Sequence, residues 1–250
     1  MLALYEYMHI PKSCEVGTTI PKKQLYANMN VSRADQTLIT GNVAKMIWQY
    51  SFKPSTIAIK QYKDEIREYP EIEIIEVQLN STSENVRRIA ELIMRAISYP
   101  ILLVFAAGNQ IQLWTAHQRT NLADASKNTV EEFVATNWID LDLIQPKEEK
   151  FLKQLDVKKL SFVDFYKFYA GLVDQIIVYK ASLLTDWELD VKNAEKIKES
   201  YDKIQAVQKE IDEYKVMITK ETQFNRRVEF NVQIASMNQK VIWEIEKLQK

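Results

Sequence analysis

From Leu172 to Lys250 the sequence contains neither glycine nor proline. All six prolines lie at or before Pro146, and the last of the four glycines is Gly171. These two residues are the strongest local breakers of regular structure, so so long a stretch without them reads as helix. The chain before it is punctuated and carries strand-like apolar runs. Together these features predict an α+β class. A mixed sheet-and-helix domain is expected over residues 1–146, and a helical domain ending in a coiled-coil hairpin over residues 147–250.

In the helical part, Phe151, Leu155, Leu160, Phe162, Phe165, Phe168 and Tyr169 form an aromatic patch, which is expected to dock on the first domain. Beyond it, Ala194, Ile197, Tyr201, Ile204, Gln208, Ile211, Lys215 and Ile218 follow alternating steps of three and four, the spacing of a coiled-coil seam. Ile197, Tyr201, Ile204, Ile211 and Ile218 are therefore expected interface residues. A second seam is read through Val228, Ala235, Asn238, Ile242 and Ile245. An intramolecular hairpin is the favoured cover for the first seam, and a homodimer through the arm is the alternative.

The N-terminal domain is organised around residues 72–116. Ile72 to Leu79 reads as a strand, and Ser81 with Glu84 has the spacing of a reciprocal helix cap. Val86, Ile89, Ala90, Ile93 and Ile97 give one apolar helical face. Ile101 to Phe105 suits a strand buried on both sides, Gly108-Asn109 a tight turn, and Gln110 to Ala116 an alternating strand. Residues 1–7 read as a short edge strand, Lys22 onward and residues 32–45 as helices, and residues 47–52 and 56–59 as further strands. Residues 129–134 and 137–141 also alternate in a strand-like way.

The net charge of −1 is spread evenly, with 19 basic against 18 acidic residues from Lys147 onward and 14 against 16 before it. Neither half is a basic nucleic-acid tail or an acidic one. Cys14 stands alone, so no internal disulfide forms. No run approaches the roughly 18 apolar residues that span a bilayer, and residues 1–10 lack the order of a secretory signal. A soluble, cytoplasmic protein without membrane contact is expected.

Chemistry-bearing patterns are few. Glu76-Val77-Gln78 places two polar side chains on one strand face, as the Glu-x-Lys of restriction nucleases does beside an upstream Asp. The third member here is Gln, and the nearest upstream acid is Asp64. Glu76 and Gln78 are thus weak catalytic candidates, of a metal-dependent nuclease or of a degenerate nuclease-like scaffold that no longer cuts, against the plainer reading of polar residues on a half-exposed sheet face. His9, His117 and Cys14 are too few for a closed zinc site, and no glycine-rich phosphate loop or nucleophile elbow occurs. No metal and no cofactor is expected, and the pattern points away from an enzyme. The pairs Lys22-Lys23, Arg87-Arg88 and Arg226-Arg227 are candidate phosphate contacts for DNA, with Trp48, Tyr50 and Trp114 as stacking partners if they share an exposed face.

Ile10-Pro11-Lys12-Ser13, Ile20-Pro21-Lys22-Lys23, Ile47-Trp48-Gln49-Tyr50, Tyr99-Pro100-Ile101-Leu102 and the Gln223 to Asn231 segment carry a resemblance over most of the chain. They resemble a bacterial family known only as a domain of unknown function. Its members are often encoded beside helicases and DNA methyltransferases of restriction or antiphage systems. The resemblance implies an accessory role beside such a helicase or methyltransferase, and supplies no catalytic residue.

Overall fold

A computed structural model describes residues 2–27, 32–120 and 128–249. Residues 121–127, within the polar stretch from His117 to Asn128, lie outside the described residues, as does Met1 at the head of the expected edge strand. In chain order the elements begin with α1 (Leu4–Met8), β1 (Glu15–Thr19), α2 (Lys22–Ala27), α3 (Arg33–Asn42), β2 (Val43–Phe52) and α4 (Pro54–Ile57). There follow β3 (Tyr62–Lys63), β4 (Glu68–Tyr69), β5 (Ile72–Leu79), α5 (Val86–Ala96), β6 (Ile101–Ala107), β7 (Gln110–Thr120), β8 (Asn128–Ala135) and β9 (Ile139–Asp140). Helices complete the chain: α6 (Pro146–Gln154), α7 (Phe165–Ser182), α8 (Ala194–Lys220) and α9 (Phe224–Lys247). The class is α+β with a C-terminal helical region.

The chain divides into two compact units, residues 1–176 and 177–250. The first unit therefore extends past Pro146. It is built on a sheet of order β1-β2-β5-β6-β7-β8, with β9 also paired to β7. β5 and β6 run parallel, because α5 supplies the crossover that parallel neighbours need. The other pairs in this sheet are antiparallel. Gly108 takes a left-handed φ of 59° in the β6–β7 turn, a conformation that costs a glycine little.

One face of this sheet presents Ile75, Val77, Leu103, Phe105 and Trp114 to Ile89, Ala90 and Ile93 of α5, all buried. The 3.6-residue spacing of α5 and the two-residue spacing of the strands meet there as the sequence predicts. On the other face, Phe168 of α7 packs against Phe52 of β2 with ring centroids 5.3 Å apart. The Tyr169 hydroxyl donates to the Ile101 carbonyl at 2.7 Å and accepts from the Ala116 amide at 3.0 Å. The aromatic helical stretch after Pro146 thus forms part of the sheet's own core, except for the exposed Phe162.

Several local expectations are corrected. Residues 4–8 are helix, not strand: Leu4, Tyr5 and Met8 fall on one helical face and all three are buried. His9 then ends the helix in a left-handed conformation. Pro54 opens the helical turn α4 over residues 54–57, where a strand was expected from Thr56. A proline's missing N–H costs nothing at the first helical position. The Ser81–Glu84 cap does not form. α5 begins later, at Val86, and Ser83 Oγ accepts from the Asn85 amide at 3.1 Å instead.

The second unit contains the antiparallel-ordered pair α8 and α9, 27 and 24 residues long, packed on one another. Ile197, Tyr201, Ile204 and Ile211 are buried and Ile218 is half-buried, all within the single chain. Tyr214 and Phe230 meet across the hairpin at 5.7 Å. The seam of α9 is not the one read from sequence. Its covered positions are Phe230, Ile234, Met237, Val241, Glu244 and Leu248; of the seam read from sequence only Ile245 is half-buried, and Val228, Ala235, Asn238 and Ile242 are exposed. Both sets recur in steps of three and four, so apolar spacing alone does not choose between them.

Candidate functional site

β5 lies centrally in the sheet and carries a buried carboxylate on each face. Glu76, the nuclease-like candidate, faces α1 and β2. Its Oε2 accepts from the Tyr5 hydroxyl at 3.0 Å and from Gln49 Nε2 at 2.8 Å, and its Oε1 from Gln78 Nε2 at 2.8 Å. Tyr5 comes from α1, whose burial brings its ring edge-on to Tyr50, 5.1 Å between centroids. Gln49 falls on the same face by alternation from Ile47, which pairs with Glu76, and a register shift between Trp48 and Tyr50 brings Tyr50 to that face as well. The bulge there inserts one residue and breaks the simple alternation of β2. Burial drives the Tyr5 phenol well above its ordinary range, and the adjacent Glu76 charge adds to this.

Asp64 does not join Glu76 in these contacts. It sits in the exposed turn between β3 and β4, accepting from the Tyr62 hydroxyl at 2.7 Å and from the Ile66 and Arg67 amides. Those donors hold its carboxyl below the usual range. Among the described residues, no group of three or more His, Cys, Asp and Glu side chains is placed to hold a metal ion. His9 pairs with Asp156 at 3.1 Å, while His117 Nδ1 meets the Tyr69 hydroxyl at 2.7 Å.

The carboxylate on the opposite face, Glu73, was not singled out by any motif. It pairs in register with Ser51, whose hydroxyl donates to Oε1 at 3.1 Å, and the Trp48 indole N–H donates to Oε2 at 2.6 Å. Beside it Lys53 bridges to Glu71 at 3.3 Å and lies over the Trp48 ring. Burial lifts the Glu73 carboxyl to about 7, against the pull of the Trp48 hydrogen bond and with a further push from Glu71. Period-two spacing is the signal that could have found it, since Glu73 shares the core-facing side with Ile75 and Val77.

A pH dependence follows. Glu73 holds its proton in the folded state up to about pH 7. The unfolded chain releases it near the ordinary carboxyl value of about 4.3. Between these limits the folded state binds more protons, so stability falls as pH rises through this window. The whole change is of order 3 kcal/mol, and Glu73→Gln removes it. Urea unfolding at pH 4.5 and pH 8 checks this. An unchanged slope in Glu73→Gln would refute the assignment.

The basic pairs occupy varied surroundings. Lys22 donates to the Val43 carbonyl, while Lys23 is exposed. Arg88 makes a two-pronged contact with Asp35 at 2.9 and 3.0 Å, and Arg87 pairs with Glu91 at 3.4 Å. Arg226 lies 3.7 Å from Glu221, and Arg227 is exposed on α9. The three pairs stand on α2, α5 and α9 respectively. Tyr50 and Trp114 are core side chains and Trp48 is half-buried with its N–H engaged, so these rings do not form an exposed stacking face.

No helix among the described residues is long and apolar enough to cross a membrane. No curated protein and no solved structure matches the chain. A family model described as a domain of unknown function (DUF4391) matches residues 8–241, and the chain belongs to that family.

Proposed function

We propose that the chain is a non-enzymatic accessory subunit of a bacterial DNA restriction-modification or antiphage defence assembly. Its α+β unit docks a helicase or DNA methyltransferase, and its coiled-coil hairpin is the interaction arm. The observation carrying this reading is the state of Glu76. The one strand position with nuclease-like spacing spends both oxygens on internal donors, Tyr5, Gln49 and Gln78, as a structural node does. The sequence resemblance to a family encoded beside such enzymes supplies the setting. Co-purification of the tagged chain with the products of its genomic neighbours tests this: a helicase or DNA methyltransferase co-eluting at a defined stoichiometry is expected. Elution apart from any such enzyme would overturn the reading.

A second reading, a nuclease-like DNA-binding protein, draws support from the β5–α5–β6 unit. There Glu76 and Gln78 share one face of a strand that leads through a helix to a parallel neighbour. It predicts magnesium- or manganese-dependent nicking lost in Glu76→Ala, or DNA affinity that falls steeply with salt. Purified protein that neither cuts nor retains DNA at low salt would remove it.

A further inference from the structure

Glu73 is 2% exposed, and among the described residues no cation pairs with it. Its two oxygens take neutral donors, the Ser51 hydroxyl and the Trp48 indole N–H. The nearby ammonium, Lys53, sits on Glu71 instead, at 3.3 Å. The register of β2 and β5 produces this arrangement. Ser51 pairs with Glu73, so one period further on Lys53 and Glu71 fall beside them on the same side of the sheet. Lys53 also lies over the Trp48 ring, 5.6 Å from its centroid, and that same indole donates to Glu73. One ammonium thus stands within a side-chain rotation of two carboxyl groups, an outer one and a buried one. A buried carboxylate without a counter-ion is costly, so Glu73 is neutral while Lys53 is engaged with Glu71.

We propose that Glu71, Lys53 and Glu73 form a proton-linked switch, in which loss of the Glu73 proton to water draws the Lys53 ammonium inward from Glu71. The trigger lies near neutrality. Burial lifts the Glu73 carboxyl to about 7 and the Glu71 charge pushes it further up, while the Trp48 and Ser51 hydrogen bonds and the Lys53 charge pull the other way. Tyr99, in the connection from α5 to β6, is the other titratable group facing this cluster. Its hydroxyl donates to Glu71, and the Glu71 charge, with burial, raises its phenol. Arg95, the cation in the last turn of α5, is exposed and is not among the groups acting on Glu73. In the outward state Glu71 is shared between Lys53 and Tyr99. In the inward state it keeps Tyr99 alone, and its charge is no longer neutralised. Tyr99 is 40% exposed, so the change reaches the surface of the first unit. Two discrete side-chain arrangements on one backbone are enough for such a device.

Nuclear magnetic resonance of the full chain, from about pH 5.5 to 8.5, tests the switch across the range in which Glu73 changes charge. The Glu73 carboxyl, the Trp48 indole N–H and the Lys53 side chain are expected to shift together in one step near pH 7. A lysine by itself does not titrate until about pH 10.4, so its response reports the move. Contacts from the Lys53 ε-methylene to the Glu71 γ-methylene below the step should give way to contacts with that of Glu73 above it. Glu73→Gln should abolish the step at Trp48 and Lys53. Lys53→Met should raise the Glu73 midpoint by about half a unit or more, because the cation that favours the carboxylate is gone, and Glu71→Gln should lower it. A step at Glu73 with Lys53 still in contact with Glu71 overturns the switch and leaves a lone buried acid. So does the absence of any step in this range, or a midpoint that Lys53→Met fails to raise. If Glu73→Gln misfolds, the wild-type contacts and the other two variants decide, since Lys53 and Glu71 are only half-buried.

Discussion

Replacing Ile204 with Asp is expected to unfold the hairpin. Ile204 is buried midway along α8, one of the side chains that hold α8 against α9. The change removes an apolar side chain whose burial is worth about 1.5–3 kcal/mol and puts a carboxylate with no planned partner in its place. The sum, about 4 kcal/mol or more, is a large share of the stability of an ordinary domain. Far-UV circular dichroism should fall, and trypsin should cut the lysine-rich α8 that the folded hairpin protects. The tertiary signals of the first unit, which has its own core, should persist. A variant that keeps its helicity and its melting temperature would show that Ile204 is not part of a packing seam. Val216→Asp serves as the control, because Val216 is exposed on the same helix. It should change stability by no more than about 0.5 kcal/mol.

Elements with strong local signals are the ones the sequence makes readable. The parallel unit β5–α5–β6 and the β6–β7 hairpin follow from uninterrupted apolar runs, a clean 3.6-residue face and a glycine at the turn. The α8 seam is legible because Ile197, Ile204, Ile211 and Ile218 stand seven apart on a helix with no breaker. Short elements are not readable this way. The five residues of α1 are fewer than an isolated helix needs, so tertiary burial of Leu4, Tyr5 and Met8 selects their conformation. In α9 the difficulty is an excess of signal: two interleaved heptad sets are present, and only the partner helix decides which one is covered. The carboxylate sites divide in the same way. Spacing along β5 brings out Glu76 with Gln78. The donors Tyr5, Gln49 and Trp48 arrive from other elements, and Tyr50, whose ring packs on Tyr5, shares the Glu76 face only through a bulge in β2 that no local pattern encodes.

Glu76→Ala is expected to destabilise the first unit by about 3–5 kcal/mol. The substitution deletes an acceptor shared by three donors, the Tyr5 hydroxyl and the amides of Gln49 and Gln78. The Tyr5 hydroxyl is buried, and such a donor left without a partner costs about 1–3 kcal/mol. The half-buried amides of Gln49 and Gln78 add less each, and the cavity left by the side chain adds to the sum. Glu76→Gln is expected to be far milder. Its amide oxygen can still accept from Tyr5 and Gln49, and Gln78 can turn its own amide to present an oxygen to the new N–H₂ group. Chemical denaturation of the two variants beside the wild type gives the comparison, with the difference between Ala and Gln as the informative quantity. The same experiment separates the two functional readings. A carboxylate kept for binding a metal is held where the fold gains little from it, and its removal commonly leaves stability unchanged or raised. A structural node behaves in the opposite way. If Glu76→Ala unfolds at the same denaturant concentration as the wild type, the structural assignment of Glu76 fails and the nuclease-like reading gains its strongest support. If it unfolds much earlier while Glu76→Gln does not, the acceptor geometry around β5 is what the residue supplies, because the isosteric amide preserves shape and hydrogen bonding and lacks only the charge.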